Sequence, residues 1–215
     1  MKLHYYPHAP YSRKVLLGAY EKGVQFERIL CAPFDGAAKA ALKSVHPLAT
    51  IPLLEDGAEI VTESSLILEY FDLVSPGSVR LIPEDPREAL RVRALDRFGD
   101  AHLMGPTVYL AWALRKPVEQ QNAEKIAAQR RTVETALGLL EARLADGRRF
   151  LAGTALTMGD CSSVAALSCL LSDGSLPSLD PWPRVGAWYR HLTTRPSFAA
   201  ILDECQSVPL PPGFD

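Results

Sequence analysis

The sequence predicts an α/β domain of about 76 residues followed by an all-α domain, and three observations carry that expectation. Short strand signals alternate with helical patterns only before residue 76. Beyond it the strand signals stop and apolar residues recur at helical spacing to the end. Between the two textures lies "SPGSVRLIPEDP", whose Pro76, Gly77, Pro83 and Pro86 suit a short linker running into a helix. The expected division is 1–76 for the first domain, 77–85 for the linker and 86–215 for the second domain.

The elements follow in order. "KLHYY" (2–6) alternates as a strand, and a helix opens at Ser12 and runs through "RKVLLGAYEKG". "FERILC" (26–31) is a second strand. "IPLLED" (51–56), Gly57 and "EIVT" form two further strands, and "ESSLILEYFDLV" opens a helix at Glu63, giving a βαβ-αββα pattern. Helices are then expected at about 86–116, 120–146, 158–172 and 184–192, with a short one near 197–205. The helix from 158 is apolar nearly all round and should be the buried centre of its domain. Thr157 and Asp160 read as its capping box, and Trp182 and Trp188 read as packing residues.

Composition narrows the function. The chain has 215 residues, is 47% hydrophobic and carries a net charge of −2 with its Lys and Arg scattered, which argues against nucleic acid or an anionic membrane surface as partner. The N-terminus lacks the apolar core of a secretion signal and no apolar run reaches the length of a membrane span, so a cytoplasmic location is expected. The four cysteines, Cys31, Cys161, Cys169 and Cys205, have neither metal-ligand nor CxxC spacing; no metal is expected, and reduced thiols are.

Several stretches in the right order resemble the cytosolic glutathione S-transferases of bacterial type. "YYPHAPYSRKV" is similar to that family's first strand and active-site loop, and "HPLATIPLLEDGAEIVTESSLILEYF" to its second glutathione-binding block. "LTMGDCSSVAAL" resembles its second-domain capping segment, and "WPRVGAWYRHLTTRPSF" its final conserved helix. The resemblance implies a thioredoxin-like N-terminal domain and an all-α helical-bundle domain, the glutathione S-transferase fold. It also implies a detoxifying transferase that joins the glutathione thiolate to small hydrophobic electrophiles, and a homodimer. A non-catalytic glutathione-binding or interaction protein of the same fold, or a glutathione-dependent isomerase, lyase or peroxidase, is the alternative.

The resemblance makes the Ile51–Pro52 bond cis, with the Ile51 N–H and C=O left to pair strand-fashion with the cysteinyl part of the tripeptide. Glu63 and Ser64, opening a helix, would take the ammonium and carboxylate of the γ-glutamyl group. Thr50 stands where the family often has a basic or amide residue, which implies either weaker binding or a glycyl end held by another group such as His46 or Lys39.

The sulfur-activating position is the departure. Ala9 occupies the place of the usual Cys or Ser, so glutathionyl transfer through a protein thiolate is not expected. Tyr5, Ser12, the N-terminus of the first helix and His8 are the remaining candidates; strand alternation lets at most one of Tyr5 and Tyr6 face the site. The demand is modest, since lowering a thiol pKa by two units takes about 2.7 kcal/mol, within reach of one or two charge-assisted hydrogen bonds. Phe98, Met104, Tyr109 and Trp112 on the first long helix are candidates for the hydrophobic pocket, and His102 and Arg97 for a dimer or tripeptide contact.

Overall fold

The structure is a computed structural model, and residues 1–76, 79–208 and 210 are described here; Gly77 and Ser78 of the expected linker lie outside them. The first domain is a four-stranded sheet in the order β2-β1-β3-β4, built from β1 (Lys2–Tyr5), β2 (Glu27–Leu30), β3 (Leu53–Asp56) and β4 (Glu59–Thr62). β1 runs parallel to β2 and antiparallel to β3, which hairpins with β4. Helices α1 (Pro10–Lys22) and α3 (Ser64–Val74) pack on each other, and α2 (Gly36–Val45) is anchored elsewhere by Leu42, its sole buried residue.

The period-two alternation of β1 sorts the two faces. Leu3 and Tyr5 join the main core with Val15, Leu16, Ile67 and Phe71, whereas Leu53 joins Cys31 and Leu42 in a small second cluster. Asp72 of α3 holds the end of the connection, accepting from the backbone N–H groups of Leu81 and Ile82 and from the buried Lys22. Leu81 and Ile82 are therefore core residues, although they were expected in the linker.

The second domain comprises α4 (Pro86–Gly99), a π-helical segment (Asp100–Met104), α5 (Gly105–Ala113), α6 (Ala123–Arg143), α7 (Met158–Ser172), α8 (Pro183–Thr193) and α9 (Pro196–Ser207). The helix expected over 86–116 is thus interrupted by a wider turn. Pro106 has no N–H to give an α-type bond, and the Gly105 N–H reaches back to the Asp100 carbonyl instead. α7 is buried along Met158–Leu170 and packs against both α4 and α1, so the two domains meet along it, with α9 also against α1. Gly159 permits the close α4–α7 approach, since a Cβ there would lie 2.7 Å from that of Leu95. No helix among the described residues is long and apolar enough to cross a membrane.

Candidate functional site

Three chain segments make the site. The Ile51–Pro52 peptide is cis, and Ile51 precedes the β1–β3 ladder, which begins where His4 faces Leu53. Glu63 sits at the start of α3 with φ 68°, a left-handed conformation that side chains rarely adopt. Its carboxylate is exposed, and Ser64 next to it is buried. Neither side chain has a hydrogen-bond or ion-pair partner among the described residues. The backbone N–H groups of Ser64 and Ser65 open the helix with no carbonyl of their own to bond, so the corner presents an exposed anion beside several unpaired donors.

Behind this corner lies a charge cluster that the sequence did not disclose. Lys14 of α1 is 0% exposed, and its Nζ lies 2.7 Å from Asp96 Oδ1 and 2.9 Å from Asp100 Oδ1. It also donates to Ser65 Oγ at 2.9 Å, and Ser65 donates to Asp96 Oδ2 at 2.5 Å. Burial, with Asp100 adding its like charge, pushes the Asp96 carboxyl above its usual range, while Lys14 and Ser65 oppose that. Four side chains from α1, α3 and the α4 to π-helix junction thus fix the start of α3 from beneath.

The start of α1 is the third segment. Ala9 is its N-cap, supplies no side-chain cap and is followed by Pro10, so the helix begins two residues before the expected Ser12. Ser12 is not the cap: it lies wholly buried in the first turn, and its Oγ accepts the Tyr6 N–H at 3.2 Å. Tyr5 is buried on the far side, with its phenol pushed well above its ordinary range by burial and by Glu204 of α9. The side chains of Tyr5 and Ser12 are therefore turned into the protein. His8 is occupied by the Val208 carbonyl at 2.7 Å, and burial lowers its pKa.

Tyr11, which the sequence reading passed over, lies in the interdomain region. Burial raises its phenol pKa, with smaller influences from Asp100, Arg97 and Glu63. No sequence signal marks it, because its neighbours come from two other helices.

The expected hydrophobic residues separate. Met104 is a correction: it is 0% exposed and belongs to the core, so it cannot line a pocket. Tyr109 is half-buried with Lys125 Nζ 4.7 Å above its ring, and Phe98 meets His102 with tilted rings in a groove against α6 lined by Arg131 and Leu139. Trp112 is 45% exposed and meets Phe34, 51% exposed in the loop after β2, with ring centroids 5.2 Å apart. Phe34 was not singled out from the sequence; a lone aromatic in a loop carries no periodic signal.

A thioredoxin-like sheet with a cis-proline before β3, an acid–serine corner at α3 and an all-α second domain define the class of two-domain, glutathione-using proteins. Residues 3–78 match the family model for the glutathione S-transferase N-terminal domain, and residues 103–196 the model for its C-terminal domain. The chain belongs to the glutathione S-transferase family.

Among its relatives, the uncharacterized GST-like protein YibF of Escherichia coli K12 is 32% identical over 141 residues, covering 65% of this chain and 67% of YibF. Glutathione S-transferase PARB of Nicotiana tabacum is 25% identical over 214 residues, covering 96% and 99%. A glutathione S-transferase from Methylobacterium radiotolerans, solved in complex with glutathione sulfonate, superposes with a TM-score of 0.81 at 29% identity, over 93% of this chain and 92% of that one.

Proposed function

We propose that the protein is a glutathione transferase that binds the tripeptide along Ile51 and Pro52, holds its γ-glutamyl end at Glu63 and Ser64, and directs its thiolate at a small hydrophobic electrophile. The observation that carries this reading is Glu63 at φ 68°, a strained residue that orients an unpaired carboxylate beside the open N–H groups of α3. The relative solved with glutathione sulfonate supports the same ligand class. His46, whose buried Nδ1 has no partner among the described residues, is proposed for the glycyl end.

Thiol activation is assigned to the start of α1. With Ala9 offering no side chain, and Tyr5 and Ser12 turned inward, the open N–H groups of Tyr11 and Ser12 and the helix dipole are the available donors for a thiolate. The exposed pair of Phe34 and Trp112, whose rings touch at the surface, is proposed to receive the hydrophobic half of the substrate, with the half-buried Tyr109 on the same helix as Trp112. A homodimer is part of the same proposal.

Two measurements test it. Glu63→Gln is expected to weaken glutathione binding about tenfold, or roughly 1.4 kcal/mol, by calorimetry; unchanged affinity would remove the γ-glutamyl assignment. Ultraviolet titration of bound glutathione should show its thiolate below the free thiol's pKa in wild type, Tyr5→Phe and Ser12→Ala alike. Loss of the shift in one variant would return activation to that side chain. Binding with no shift in the wild type would favour a non-catalytic binding protein, the reading to which Ala9 itself points.

A further inference from the structure

Away from this site, three side chains on the α2-covered face of the sheet form a relay. His4 Nε2 lies 2.5 Å from Glu55 Oε1, and Cys31 Sγ lies 3.8 Å from His4 Nδ1. β1 and β3 bring them together: His4 pairs with Leu53, Lys2 pairs with Glu55, and Cys31 follows the edge strand β2, its N–H bonded to the Tyr5 carbonyl.

The acceptor at one ring nitrogen decides the role of the other. An ionised Glu55 can only accept, so it takes the Nε2–H; in the neutral tautomer this leaves a lone pair on Nδ1, which faces the Cys31 Sγ and is placed to accept the S–H. A nucleophile, a base and a carboxylate that orients the base is the arrangement that activates a thiol. Burial and Asp35 push the Cys31 thiol up, so the resting group is S–H and its proton has to be taken by His4 when the sulfur reacts.

We propose that Cys31 is a peroxide-reactive thiol, oxidised to the sulfenic acid by hydrogen peroxide or a small alkyl hydroperoxide. The S–H proton moves to His4 Nδ1, and the sulfur attacks the distal peroxide oxygen. The S–O bond forms as the O–O bond breaks, and the departing hydroxide or alkoxide leaves as water or alcohol with a proton from the imidazolium. Cys31 loses two electrons and the hydroperoxide gains them. Glu55 stabilises the imidazolium between the two proton transfers.

Access is compatible with this step. Cys31 is 6% exposed, yet the helix above it buries only Leu42 fully, with Val45 partly buried beside it, and so thin a cover opens locally at small cost. The oxidant is about the size of two waters.

The other cysteines provide the discriminating comparison. Cys161 and Cys169 are buried in α7, whereas Cys205 is the only partly exposed cysteine and lies beside Arg13. Accessibility and a neighbouring cation would make Cys205 react first; the relay makes Cys31 react first.

The test treats the full chain with hydrogen peroxide for timed intervals, removes the remainder with catalase, unfolds the protein in guanidinium containing dimedone and maps the adducts by mass. Cys31 should be modified at least tenfold faster than Cys205. Glu55→Gln, at a partly exposed position, should slow Cys31 about fivefold and leave Cys205 unchanged; His4→Gln should slow it further, with a thermal melt checking that each variant is folded. Cys205 modified first, or a Cys31 rate indifferent to Glu55→Gln, would overturn the proposal. Should His4→Gln fail to fold, the Glu55 comparison decides alone.

Discussion

Replacing Lys14 with methionine is expected to destabilise the protein by about 3–5 kcal/mol at neutral pH, because it removes the cation shared by two buried carboxylates. Asp96 is 1% exposed and Asp100 is buried as well, so neither regains water when Lys14 is lost. The deficit should shrink as pH falls. Burial already holds the Asp96 carboxyl above its usual range, and with Lys14 no longer opposing that, the penalty is present above the folded pKa and is relieved as this carboxyl takes a proton. Urea unfolding at pH 7 and pH 5 measures both effects. The triple change Lys14→Met, Asp96→Asn, Asp100→Asn should recover much of the loss, since the unpaired charge is what costs. A deficit below about 1 kcal/mol, or one independent of pH, would show that the cluster is hydrated in solution.

Asp160→Ala should cost a similar amount, about 3–5 kcal/mol, several times what a helix cap alone contributes. The reason is the number of donors that this fully buried carboxylate serves. It accepts from the Leu151 N–H at 2.7 Å and, each at 3.0 Å, from the Thr157 N–H, the Thr157 hydroxyl and Trp188 Nε1. Asp160 is therefore the pin between α7, the loop before it and α8. Asp160→Asn keeps one carbonyl oxygen and should lose less. Glutathione affinity of the folded fraction should be unchanged in both variants. Weakened binding without weakened folding would contradict a purely structural role.

The contrast between these two residues shows what a sequence discloses. Thr157 and Asp160 announce themselves, because a capping box is a local pattern in which four neighbouring residues supply both donor and acceptor. The Ile51–Pro52 pair and the Glu63–Ser64 corner are legible only through the family resemblance, because an X-Pro pair at a strand start and an acid–serine helix start read by themselves as an ordinary strand opening and cap. Lys14, Asp96 and Asp100 gave no such sign. Two carboxylates four residues apart on a helix look like a solvated face until α1 lays a lysine against them.

Met104 misled for the converse reason. Apolar spacing marks one side of a helix without saying whether that side meets protein or a cleft, and the π-helical turn at 100–104 changes which side it is. Alternation separates the faces of Tyr5 and Tyr6 but does not say what covers each, and the group beside the Tyr5 phenol, Glu204, comes from α9 far along the chain. Cys31, His4 and Glu55 were invisible in the same way, being joined only by strand pairing.

The left-handed residue at position 63 has an evolutionary consequence. Glycine adopts that backbone freely, so a lineage selected for durability alone would drift toward glycine there and gain on the order of 1 kcal/mol. An acidic side chain in that place therefore comes at a cost in robustness, which the proposed capture of a γ-glutamyl group would offset.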